Sequence, residues 1–142
     1  MTGGWQSQAA RMRRWHSRLR AAANEHDRHD FLYSFFENAF HLRDWLADTG
    51  AVEIAALDLF FDSHVEMRLC RDLANSHKHY SISRPSQPAP PCEAREYTPG
   101  MGNLADDVSL VVLSDGTKHD AFLLADRILG LWEAFIAAKM RD

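Results

Sequence analysis

Phe31-Leu32-Tyr33-Ser34-Phe35-Phe36-Glu37-Asn38-Ala39-Phe40-His41-Leu42-Arg43-Asp44-Trp45-Leu46-Ala47 is the stretch that decides the fold. At about 100° per residue, Leu32, Phe35, Phe36, Ala39, Leu42 and Leu46 collect on one side of a helix. Ser34, Glu37, Asn38, His41 and Asp44 collect on the other. An apolar stripe of that width must be buried against other elements, so the chain needs partners for this helix. Asp48-Thr49-Gly50 ends it, with glycine in the position that favours a left-handed residue.

Working outward, Trp5 to about Ala23 contains helix formers and no internal Gly or Pro, which predicts a first helix. The polar stretch Asn24 to Asp30 supplies caps. A short apolar helix is expected from Val52 to Phe61. Ser63-His64-Val65-Glu66 then reads as a capping box opening a helix that runs to about His79. Residues 81–91 hold four of the five prolines and read as a surface linker. Val108 to Leu113 is apolar and β-branched. Followed by Ser114-Asp115-Gly116-Thr117, it predicts a small β-hairpin over about 108–119. Ala121 to Lys139 carries a broad apolar stripe and forms the last helix. The expected architecture is mainly α: one domain over 1–142, a bundle of four to five helices with a small hairpin before the last.

Composition agrees. The 142 residues are 46% hydrophobic and 11% aromatic, enough for a packed core. No run approaches the roughly 18 apolar residues of a membrane span, and the first residues lack a signal-peptide core, so no membrane association is expected. Two cysteines, Cys70 and Cys92, make no framework, and a reduced, cytoplasmic protein is the natural expectation. The net charge of −4 is uneven: residues 1–30 hold six Arg against three acids, and the remainder is acidic. The basic first helix either grips nucleic acid, with Arg13 and Arg14 among its cations, or pairs with the acidic rest of the fold.

The second stretch of interest is Cys70-Arg71-Asp72-Leu73-Ala74-Asn75-Ser76-His77-Lys78-His79-Tyr80. Arg71, Asn75, Lys78 and His79 share one helix face, with Asp72 at its border. Val65, Leu69, Cys70 and Leu73 fill the other, and His77 falls with them. These polar types hold phosphate and move protons. Histidine titrates near neutrality, and arginine presents a planar fork to phosphate.

Arg71-Asp72-x-x-x-x-His77 resembles the motif of HEPN-domain proteins, an Arg and a polar residue followed by a His after four to six positions. The expected helical bundle is similar to their fold. The fuller pattern also looks like a group of small bacterial proteins in which the histidine after lysine recurs, here His79. The resemblance implies a metal-independent ribonuclease without a cofactor, active on RNA and often dimeric, of the kind found in toxin–antitoxin and defence systems. Arg71 would then clamp phosphate, and His77 or His79 would act as base or acid. Asn75 would orient the phosphate or ribose, and His41 from the other helix would complete the pair. Asn38, Asp44 and Lys78, with Arg13 and Arg14, would hold the substrate.

Two other classes compete. A metal site has candidate ligands in Glu37, His41, Asp44, Asp72, His77 and His79, but neither HExxH nor the Glu-x-x-His of di-iron bundles is present, so no metal is expected. A non-catalytic interaction module would use the polar faces as a register network, pairing Asn38 with Asn75, Asp44 with Arg71 and His41 with Asp72.

Overall fold

The computed structural model describes residues 4–79, 92–97, 109–114 and 117–141, with side-chain environments for 4–75 and 117–141. It is a mainly helical bundle. In chain order the elements are α1 (Trp5–Ala21), α2 (Glu25–Asp48), α3 (Ile54–Ser63), α4 (Val65–His79), β1 (Cys92–Tyr97), β2 (Ser109–Ser114), β3 (Thr117–Asp120) and α5 (Ala121–Lys139). The proline-rich stretch 81–91 lies outside the described residues.

α2 is the central rod. It packs against α1 along its length, and against α4 and α5. Its buried residues are Leu32, Phe35, Phe36, Ala39, Leu42 and Leu46, the stripe that periodicity assigned to the core. The helix begins six residues earlier than expected, at Glu25. The polar run 25–30 is helical because Asn24 caps it: the Asn24 side chain accepts from the Asp27 N–H at 2.9 Å. Glu25 and Asp27 also sit where carboxylates complement the helix dipole. At the other end Gly50 takes φ +76°, a conformation that a side chain would strain, and its N–H donates to the Ala47 carbonyl at 3.1 Å.

The junction between α3 and α4 departs from expectation. Ser63 is the last residue of α3, so the Ser63–Glu66 capping box does not form. His64 stands at the boundary instead. Its carbonyl accepts from Met67 and Arg68, both at 3.1 Å, and its Nδ1 donates to the Phe60 carbonyl at 3.0 Å. One imidazole thus satisfies an end of α3 while its backbone starts α4.

The expected hairpin is present as β2 and β3, paired antiparallel with Ser114 opposite Thr117. A third strand joins it: β1 pairs antiparallel with β2, Cys92 opposite Ser114 and Tyr97 opposite Ser109. Cys92 therefore opens a strand directly after the proline-rich stretch. Cys-Glu-Ala-Arg-Glu-Tyr has no β-branched residue, so pairing to the free edge of β2, rather than local preference, makes it a strand.

The core joins all five helices described. Phe60 and Phe61 of α3 meet Trp132 of α5 with ring centroids 5.0 and 5.7 Å apart, and Phe60 stacks on Phe135 at 4.2 Å. The fully buried Trp132 donates its indole N–H to the Ala39 carbonyl of α2 at 2.9 Å. Cys70 of α4 is also fully buried, its thiol 3.6 Å from the Phe36 carbonyl. Among the described residues no helix is long and apolar enough to cross a membrane.

Candidate functional site

α4 carries Arg71 and Asn75 one turn apart, both half-buried. Neighbouring Leu73 and Ala74 are buried, so the helix is held by its apolar face and these polar side chains border the surface. Arg71 donates from Nη1 to Asp62 Oδ1 at 3.2 Å, and its Nε lies 3.7 Å from Asp72 Oδ1. Arg68 donates to the Asp62 carbonyl at 2.5 Å. The acid that meets Arg71 therefore comes from α3, not from Asp44 of α2. Asp44 lies 3.3 Å from Arg43, and Arg43 in turn bonds Asp58.

The physical reason is the position of α3. Asp58 and Asp62 stand four residues apart on its outer face, one reaching Arg43 of α2 and the other Arg71 of α4. Their i, i+4 spacing in a short apolar helix is a sequence signal that could have found them. Asp62 is well exposed, at 66%, so the Arg71 pair is a solvent-screened one that a stronger anion could displace.

Asn38 belongs to a different neighbourhood. Gln8 of α1, only 1% exposed, donates its amide to the Asn38 carbonyl at 2.9 Å and to Asn38 Oδ1 at 3.1 Å. Asn38 Nδ2 donates to the Ser34 carbonyl at 2.8 Å. Cys70 marks the α4-facing side of α2 near Phe36, and Asn38 sits about 160° round the helix from there. Asn38 and Asn75 are not brought together, although α2 and α4 are adjacent. His41 is exposed, with the Phe40 ring as its neighbour at 6.2 Å. Its expected partner Asp72 is instead beside Arg71. His77, Lys78 and His79 continue α4 as helix, while their side chains lie outside the described residues. Among the described residues no three His, Cys, Asp or Glu converge on one point.

The arginines of α1 divide. Arg13 makes a two-pronged bond to Glu133 of α5 at 2.9 and 2.6 Å. Those hydrogen bonds, with the attraction of opposite charges, push Arg13 up and hold the Glu133 carboxyl below its ordinary range, against the opposing effect of burial. One helical turn or two further on, Asp126 accepts from His16 at 2.8 Å and from Arg20 at 2.9 Å. Arg13 with Glu133 and Arg20 with Asp126 form an antiparallel, seven-residue ladder. Equal i, i+7 spacings on the two helices were visible in the sequence, but not which helices would face. Arg14 is exposed and meets no acid among the described residues, and Arg18 lies over the Trp15 ring at 4.7 Å.

Comparison with protein families, with curated proteins and with solved structures finds no match for this chain.

Proposed function

We propose that this chain is a HEPN-like helical protein that binds RNA, with α4 as the place where metal-independent cleavage occurs. The observation that carries the reading is the division of α1. The helix contains five arginines and no acid, and only Arg13 and Arg20 are taken up by acids of α5. The remaining cations face away from that ladder, and their charge, unpaired with any acid among the described residues, supports a phosphate-binding role. On α4, Arg71 holds a screened carboxylate that phosphate can replace. Asn75 lies one turn beyond it, and His77 and His79 supply the candidate base and acid. RNA affinity should fall steeply with salt, and cleavage should persist in EDTA. Arg71→Ala should lower cleavage with little change in melting temperature, and His77→Ala and His79→Ala divide the proton-transfer role. Purified protein that neither binds nor cuts single-stranded RNA at low salt, as monomer or dimer, would sink this reading.

A second reading is favoured by the Gln8–Asn38 contact. Here the polar faces serve helix register, and the chain is a non-catalytic interaction module. Under it, Arg71→Ala leaves every nucleic-acid assay unchanged.

A further inference from the structure

At about 100° per residue, Arg13, His16 and Arg20 cluster on one side of α1, where α5 supplies Glu133 and Asp126. Arg11, Arg14 and Arg18 fall within about 60° of one another on the side roughly opposite. That strip runs about 10 Å along the helix, the length of about three phosphates at the 3.4 Å rise of a stacked strand. Trp15 borders it on the side toward α2. Its ring packs against Phe31 with centroids 5.6 Å apart, and the exposed Arg18 guanidinium lies 4.7 Å from its centroid.

Among the described residues, none of Arg11, Arg14 and Arg18 is paired with an acid, although Asp30 and Glu37 of α2 fall within the stretch that runs alongside. In the antiparallel register set by Gln8 with Asn38 and Trp15 with Phe31, Arg18 falls about level with Asp27, which is already bonded at the helix cap by Asn24. Asp30 is exposed one residue before Phe31. Arg11 donates to Gln8 Oε1 at 2.6 Å, an amide rather than a carboxylate, so its charge is not neutralised there.

We infer that the α1–α2 edge is a docking strip for single-stranded RNA, in which one base stacks on Trp15 and Arg11, Arg14 and Arg18 hold the adjoining phosphates. The inference rests on the RNA-binding reading above and adds to it a base-stacking position at Trp15 and the three arginines that hold the adjoining phosphates. An indole beside a row of cations suits unpaired bases. Every base has a π-face to stack, whereas a duplex hides its faces and offers phosphates alone. On binding, Arg18 leaves the ring for a phosphate and the base takes its place, exchanging one cation–π contact for a stack and an ion pair.

The test compares the full chain on a 12-nucleotide oligoadenylate strand and on an RNA duplex of the same length, at low salt. Trp15→Leu should weaken strand binding roughly tenfold and leave duplex binding unchanged. Arg14→Ala should weaken both and lower the salt slope on the strand by about 0.7. Photocrosslinking of a 4-thiouridine strand to the unaltered chain, which needs no variant to fold, should label the peptide containing residues 11–18. Strand binding with crosslinks confined to α4, or with a folded Trp15→Leu protein binding as before, overturns this inference and leaves the RNA-binding reading standing. Polyglutamate binding in place of RNA assigns the strip to an acidic protein partner and overturns the inference. Absence of binding to strand and duplex alike overturns both.

Discussion

At the scale of single residues, the position of Gln8 is the least expected feature. A nearly inaccessible amide bridges Asn38 of the neighbouring helix and the guanidinium of Arg11. Removing it strands the Asn38 side-chain oxygen in a part-buried place, which costs about 1–3 kcal/mol. Gln8→Ala should lower stability by that amount in urea titration. The double-mutant cycle with Asn38→Ala should show coupling of about 0.5–3 kcal/mol. The same cycle on Asp44 and Arg71 should show additivity, because each of these side chains has its own separate partner. Coupling between Asp44 and Arg71 would contradict the placement of α3 between their charges.

At the scale of elements, α1 and α5 are joined across their surface by charge as well as by packing. The Arg13–Glu133 pair is exposed on both sides, 45% and 44%, so solvent screening limits it to about 0.2–1 kcal/mol. Its pH dependence has a definite sign. The Glu133 carboxyl is held below its ordinary range in the fold. The contribution is therefore complete above the unfolded carboxylate value of about 4.3, and is lost as pH falls through the lower folded value. Glu133→Gln should lower stability at pH 7 by a fraction of a kcal/mol. The gap between the two proteins should then close below about pH 4 in guanidinium-free urea melts. A gap that widens on acidification would mean that the pair is not what links these helices.

At the scale of the whole molecule, Trp132 holds the assembly together. It touches Phe60 and Phe61 of α3 and Phe135 of its own helix, and it bonds the backbone of α2. Trp132→Ala removes packing from three helices at once and should cost about 3–5 kcal/mol, a large part of the 5–15 kcal/mol typical of a domain. Urea unfolding followed by far-ultraviolet circular dichroism should show one earlier transition for all the helices. Early loss of α5 alone, with the rest intact, would show that the bundle does not depend on this junction.

The helices and the last turn of sheet were legible because their signals are local. The apolar stripe of residues 32–46, the glycine after Asp48 and the paired β-branched residues around 110 each follow from backbone period and turn chemistry. Asn24 as a cap was legible too, yet the polar run after it hid six residues of helix, since charged residues tolerate helix and loop alike. The residue types of the candidate site were visible in the sequence: Arg71, Asn75 and the arginines of α1 could be placed on faces. What no periodicity contains is which face meets which neighbour. Helical angle places Asn38 and Asp44 on one polar stripe, but only packing sends Asn38 to α1 and brings Asp58 of α3 to Arg43, beside Asp44. The same holds for Asp62 beside Arg71, Asp126 beside Arg20 and β1 along β2. Each of these contacts joins residues distant along the chain or across a helix junction. The local sequence therefore determined the elements and their buried sides, and the tertiary structure alone decided the partners of the polar sides, because those depend on how the buried sides close together.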